Sequence, residues 1–187
     1  MDNDNSELRW GTIYDADQLK NEIREITKSI NLNEDFYYGT IDTGNYFQGD
    51  IIHFKASVPI FDISGTPFLY DSFEFWLIVS NSCDLVRDEV SWAILVPLIC
   101  LPKDLDTSDR SAFTRYKYSR VFFIPHWSDS EDKTGFCANF LLPVIVEKGI
   151  LNTSNIRKVA QMSRRGWILL HSCLVRFLAR DDGRYEI

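Results

Sequence analysis

Ser82-Cys83-Asp84 and Arg87 carry the residue types that could do chemistry, in a polar segment between two apolar runs. A cysteine attacks only as a thiolate, so it needs a base or a cation beside it. The histidines are His53, His126 and His171, and spacing alone sets none of them next to Cys83. Cys83, Asp84, Arg87 and His53 are therefore the candidate catalytic set. Asp84 reads equally well as a turn former that bonds its own backbone. Asp50 follows Gly49 and offers another carboxylate, again in a position suited to fixing a turn. A metal site needs three or four converging ligands, whereas His171 and Cys173, two apart on a helix, do not share a face. No metal and no cofactor are expected, since phosphate-binding-loop, dinucleotide-binding and HExxH signatures are missing.

Binding offers a second use for the polar groups. Asn81 and Ser82 stand at a strand end, where functional loops leave a scaffold. Arg157, Lys158, Arg164, Arg165, Arg176 and Arg180 make the C-terminal segment basic, and Arg176 and Arg180 are spaced to share a helix face. With Trp167 these could contact RNA by charge and stacking. They could equally pair with the acidic N-terminal region or form a solvated face.

The charge is uneven. Residues 1–50 hold 11 acidic and 4 basic side chains (−7), residues 51–154 hold 13 and 9 (−4), and residues 155–187 hold 3 and 7 (+4). The chain is 45% hydrophobic and 14% aromatic, enough for one substantial core in a single domain over residues 1–187. No apolar run approaches the roughly 20 residues that span a bilayer. The opening MDNDNSELRW is acidic, unlike a secretory signal, so a cytoplasmic location is expected. Four scattered cysteines without a CxxC pair suit reduced thiols.

The elements that must position these groups follow from periodicity. Residues 1–14 should be flexible. Asp15 or Asp17 can cap a helix over 15–30, with Leu19, Ile23, Ile26 and Ile30 on one face. Asn31–Gln48 reads as a loop with room for a short strand around Phe36-Tyr37-Tyr38. Ile52, Phe54, Ala56 and Val58 alternate with polar residues over Ile51–Val58, the period of a half-buried strand. Pro59–Ser72 reads as a connection with a hairpin turn at Ser64-Gly65. Phe75–Val79 and Trp92–Cys100 are short runs of β-branched and aromatic residues, hence buried strands, with Pro97 marking an edge or a bend. Pro102–Asp109 is an acidic loop, and Ser111–Ser119 fits either a short helix or a strand. Val121–Ile124 and a Pro143-interrupted Phe140–Val146 are strands, with an acidic loop at His126–Gly135 between them. Thr153, Ser154 or Asn155 caps helices over 154–180, with a break at Ser163–Gly166 because Gly166 costs about 1 kcal/mol relative to Ala. Ile156, Val159, Ala160 and Met162, then Trp167, Leu170, Leu174 and Phe177, supply its core face, and Cys173 sits in the core.

The order Gly49-Asp50-Ile51-Ile52, then Trp76-Leu77-Ile78-Val79-Ser80-Asn81, then Ile94-Leu95-Val96-Pro97-Leu98 resembles the MazF/PemK family of toxin endoribonucleases, over roughly residues 49–100. The resemblance implies an α+β protein. Its core, residues 49–147, would be a small SH3-like, partly open antiparallel β-barrel carrying an N-terminal helix and a C-terminal helical segment. That family places a catalytic Arg just before the strand matching Trp76–Ser80, where Asp71–Phe75 holds no basic residue. It uses a Ser or Thr near the end of the third strand, where this chain reads Pro97-Leu98-Ile99-Cys100. The segment Asn81-Ser82-Cys83-Asp84-Leu85 with its closing helix also resembles a group of little-characterised bacterial proteins with barrel-like cores. Together these imply a binding module of a bacterial toxin–antitoxin or phage-defence system, contacting a protein partner through Asn81, Ser82, Arg164, Arg165, Arg176 and Arg180. The alternative is a metal-independent endoribonuclease with a relocated site. RNA contact and homo-oligomerisation stay open, and no membrane contact is expected.

Overall fold

Ile51 and Ile52, adjacent in sequence, are both fully buried, so the strand they open is covered on both faces at its start. Beyond it the expected alternation holds: Ile52, Phe54, Ala56 and Val58 share one packed face, and Lys55 is exposed. The computed structural model describes residues 16–32, 34–127 and 134–178. Its elements are α1 (Ala16–Ser29), β1 (Ile51–Phe61), β2 (Pro67–Ile78), α2 (Ser82–Val86), β3 (Trp92–Cys100), α3 (Thr107–Thr114), β4 (Val121–Ile124), β5 (Phe136–Asn139), β6 (Val144–Glu147), a 3₁₀ turn (Lys148–Asn152), β7 (Arg157–Ala160) and α4 (Arg164–Leu178). The flexible start expected for residues 1–14, and Asp15 as a helix cap, lie outside the described residues; Asp17 falls within α1.

The strands form one antiparallel sheet in the order β4-β5-β3-β2-β1-β7, with β6 beside β3. The three apolar runs read as strands are thus β1, the end of β2, and β3, paired as neighbours. Alternation then divides the core. Ile51, Leu77 and Val96, in register across β1, β2 and β3, join Ile23 of α1, Ile30 just after it, and Leu169, Leu170 and Cys173 of α4 in one cluster. Ile52, Trp76, Ile78 and Leu95 face the other way, into a cluster with Leu151 and Ile156. The sheet does not close into a barrel: β4 and β7 remain at the two ends of the strand order. α1 and α4 pack against one face of the sheet.

Several local expectations are corrected. Pro97 lies in a central strand, where β3 changes partner along one edge, from β6 on Trp92–Leu95 to β5 on Leu98–Cys100. Its missing N–H falls in the gap between the two ladders, which is how an interior strand tolerates proline. Pro59–Ser72 is no connecting loop but the far half of a β1–β2 hairpin, bent by register shifts between His53 and Ala56 and between Ser57 and Val58. Asp71 takes φ +46° at the second shift. Pro143 separates two strands, β5 and β6, rather than interrupting one. Thr107–Thr114 is a helix, started by Asp106, whose carboxylate accepts the Asp109 N–H at 2.9 Å. Tyr37 makes a single antiparallel bridge with Met162.

The largest correction lies at the C-terminus. Residues 154–160 do not begin a helix: Arg157–Ala160 is β7, paired to Ile51–His53. The helix starts at Arg164, and its cap is Ser163, whose Oγ accepts the Gly166 N–H at 3.2 Å. Leu169, Leu170 and Cys173 are its buried residues, whereas Trp167 lies 36% exposed at the rim. Ser163→Ala is expected to cost about 1 kcal/mol, the usual loss of an N-cap, measurable by urea unfolding.

Candidate functional site

The turn Tyr46–Asp50 and helix α2 meet through Gln48, a buried residue whose backbone N–H and both side-chain amide heteroatoms are bonded. Its backbone N–H donates to Ser82 Oγ at 3.0 Å, its Nε2 donates to the Val79 carbonyl at 2.7 Å, and its Oε1 accepts the Trp167 indole N–H at 2.9 Å. One residue thereby ties α4, the end of β2 and the start of α2 together. Gly49 follows at φ +94°, with its open face against Met162: a Cβ there would stand 2.9 Å from the Met162 sulfur. Its N–H donates to the Ile78 carbonyl at 2.8 Å, and Ile78 N–H returns a bond to the Asp50 carbonyl at 3.0 Å. Beyond Val79, Ser80 Oγ accepts the Ile94 N–H at 2.7 Å, fixing the other side of the exit.

Asp50 does fix a turn, as its position suggested: its Oδ2 accepts the Phe47 N–H at 2.8 Å. The same oxygen meets Lys158 Nζ at 2.6 Å, in an ion pair whose side chains are 1% and 3% exposed. Lys158 also donates to the Asn45 carbonyl and lies 5.1 and 5.3 Å from the ring centroids of Tyr46 and Phe47. Burial pushes the Asp50 carboxyl up to about 6, against the opposing pull of the Lys158 ammonium and the Phe47 N–H. Its second oxygen, Oδ1, is buried without a hydrogen-bond partner. A buried pair of this kind specifies which segments meet more than it stabilises them. Here it joins the Asn45–Asp50 turn to β7.

On this base α2 is presented outward. Asn81, Cys83, Val86 and Arg87 are exposed, and Ser82, Asp84 and Leu85 are half-buried. Cys83 Sγ lies 3.8 Å from Asp84 Oδ1, and Arg87 pairs with the same oxygen at 3.3 Å. So Cys83, Asp84 and Arg87 do come together; the thiol faces a carboxylate whose negative charge opposes thiolate formation and which Arg87 already engages. His53 is not hydrogen-bonded to any of them; it tilts against Phe75 at 5.3 Å and lies across from Arg157 in the β1–β7 ladder. His171 stacks on Trp167 at 5.2 Å. The four cysteines are free thiols; Cys137 and Cys173 are buried, which pushes each up to about 12 and leaves them unreactive. Among the described residues no group of three or more His, Cys, Asp or Glu side chains is gathered as a metal site.

The basic residues separate into different roles. Arg164 is exposed, and Arg165 is exposed but paired with Asp35 at 2.8 Å. Arg176 donates to the carbonyls of Tyr116 and Tyr118 at 2.7 and 2.9 Å, clamping α4 to the turn after α3, where Tyr116 takes φ +52°. Lys158 is buried. Arg180 lies outside the described residues. The inner side of α2, Leu85 and Val86, lines a shallow cleft of about 280 Å³ with Tyr46, Lys148, Leu151 and Asn152.

Gln48, Lys158 and Tyr46 are site residues that sequence reasoning missed. Their partners lie between 31 and 119 residues away along the chain, and no short-range spacing marks such pairs. Comparison with protein-family models gives no match, and comparison with curated proteins gives none. Among the described residues no helix is long and apolar enough to cross a membrane.

Proposed function

We propose that this protein is a binding module, with α2 as its contact surface for a protein partner. The observation that carries this reading is the Gln48 hub. It fixes the root of an exposed turn from three sides, so that Asn81, Cys83, Val86 and Arg87 are held in place before any partner arrives. Preorganised loops on a rigid scaffold lose little entropy on binding. The cleft beside Leu85 and Val86, lined by both apolar and polar side chains, offers a concave contact point next to these groups. Exposed Arg164 at the start of α4 adds positive charge on an otherwise acidic protein.

The reading of a toxin–antitoxin or phage-defence setting draws on the sequence likeness of residues 49–100 to the MazF/PemK family. An SH3-like relationship draws on the same likeness. The missing basic residue at Asp71–Phe75 and the missing Ser or Thr near the end of β3 favour binding over cleavage. The second reading, an endoribonuclease with a relocated site, draws on the Asp84–Arg87 pair next to Cys83. Its thiol bonds to the Asp84 carboxylate and, among the described residues, to no histidine.

Affinity capture of the full chain from its native host tests both. The expected result is one defined protein partner, retained by the unaltered chain and lost by an Asn81→Ala/Arg87→Ala double variant that melts normally. Capture of no partner by a strictly monomeric chain would contradict the binding reading. Purified protein should leave RNA intact; cleavage abolished by Asp84→Ala or Arg87→Ala would establish the second reading instead.

A further inference from the structure

The far half of the β1–β2 hairpin is apolar where it should not be. On the pairs Pro59–Leu69 and Phe61–Pro67 all four side chains are exposed, Leu69 and Phe61 at 71% and 72%, and Ile63 at the tip is fully exposed. The opposite face is partly covered: Val58 and Ile60 pack towards the core around Trp76, while their partners Tyr70 and Phe68 are 43% and 45% exposed, so the face with Phe61 and Leu69 is the barer one. With about 200 Å² for each large side chain when fully exposed, the bare face presents on the order of 600 Å² of apolar surface. That is the upper limit of the largest patch on an ordinary monomer, roughly 300–600 Å². It approaches the roughly 800 Å² that each partner contributes to a standard interface.

The edges of the arm are closed to strand addition. Neither proline can donate to a ladder, so Pro59 and Pro67 must occupy pairs that exchange no hydrogen bonds, with their ring nitrogens turned outward. One proline then blunts each edge. What remains available is the face. It is also a firm face, because the turn is tied by Asp62 Oδ1, which accepts the N–H groups of Ser64 and Thr66 at 2.8 Å each and the Ser64 hydroxyl at 2.6 Å.

We infer that the occupant of this face is the same face of a second copy, making an isologous dimer through paired hairpin arms. A contact between like surfaces must be self-complementary. On a chain of net charge −7 most of the surface opposes a second copy, whereas Pro59, Phe61, Ile63, Pro67 and Leu69 carry no charge. Their juxtaposition needs no counter-charge and removes apolar area from water on both sides. The arm lies at the opposite end of β1 and β2 from Asp50 and Val79, on the order of 30 Å of strand away. Dimerisation therefore leaves α2 free, and the inference does not rest on the role given to α2.

Sedimentation velocity on the full chain over a concentration series tests the inference. The unaltered chain is expected to pass from monomer to dimer in the micromolar range. Phe61→Ser/Leu69→Ser should raise the dissociation constant roughly tenfold or more. Because both side chains are exposed, the variant should keep the circular dichroism of the unaltered chain, and Ile63→Ser alone should show a smaller shift in the same direction. Three results would overturn the inference: a chain monomeric at high micromolar concentration, a dimer undiminished in the double variant, or a monomer that instead co-sediments with phosphatidylcholine vesicles through Phe61 and Leu69.

Discussion

Lys158→Met should destabilise the protein by about 3–5 kcal/mol at pH 8, the range for removing one partner of a buried ion pair. The loss arises because Asp50 would keep a negative charge at 1% exposure, with the Phe47 N–H its only remaining partner. Desolvation already raises the Asp50 carboxyl to about 6 with the lysine present, and removing the lysine raises it further. At pH 5 Asp50 in the variant would be protonated in the folded state, so the loss should shrink. In the unaltered chain the sign is set by the folded carboxyl lying above its ordinary value of 3.8. The folded state binds the proton more tightly, so this group favours folding fully below about pH 4. Its contribution, at most about 3 kcal/mol, fades as pH rises to 6 and is absent above. Urea unfolding of both chains at pH 5 and pH 8 reads these effects. Asp50→Asn combined with Lys158→Met should recover much of the loss, because no bare charge remains. A loss below about 1 kcal/mol, or the same loss at both pH values, would show that the pair is not buried as described.

Gly166→Ala separates local propensity from packing by its sign. In an open helix the change would gain about 1 kcal/mol. Here a Cβ would stand 2.6 Å from the Phe36 carbonyl oxygen, and that oxygen also accepts the Ser163 N–H at 2.9 Å. The carbonyl cannot retreat without releasing the helix start, and Phe36 itself is fully buried. Overpacking costs about 1–3 kcal/mol and a lost hydrogen bond about 1, so a net loss of about 2 kcal/mol is expected. For a chain of this size that lowers the melting temperature by roughly 6 °C. A rise in melting temperature would mean that the Phe36 segment does not seat against α4.

Gly166 also shows what the sequence could convey and what it could not. The cost of glycine in a helix marked a break near Ser163–Gly166, and the structure begins α4 there, but the reason is the Phe36 carbonyl, 130 residues earlier in the chain. β1, the end of β2, and β3 were legible because β-branched and aromatic runs carry their own signature. α1 was legible because Leu19, Ile23, Ile26 and Ile30 repeat at helical spacing; Ile23 within the helix and Ile30 just after it are buried. β7 was not. Ile156, Val159, Ala160 and Met162 fit helical spacing, and only pairing with Ile51–His53 makes Arg157–Ala160 a strand. In five residues α2 shows no period, so a polar turn was the natural reading of Ser82–Val86. Of the candidate site, the clustering of Cys83, Asp84 and Arg87 follows from their proximity in sequence. His53, which belongs with Phe75 and Arg157, could be placed only by the sheet register. The role of Asp50 was half legible: a carboxylate after glycine announces a turn, but nothing near it announces Lys158.

The proposal for α2 stands on its being held rigid before it binds, and amide hydrogen exchange on Ser82→Ala tests this most directly. That change removes the oxygen that accepts the Gln48 N–H. The α2 amides of Asp84 and Leu85 bond to the Asn81 carbonyl, and their exchange reports whether the turn stays closed. Loss of one hydrogen bond worth about 1–1.5 kcal/mol should speed exchange at Gln48, Asp84 and Leu85 roughly tenfold, while the β1–β3 core is unchanged. Unaltered exchange at Asp84 and Leu85 in the variant, or exchange in the unaltered chain as fast as in an open peptide, would contradict a preformed contact surface.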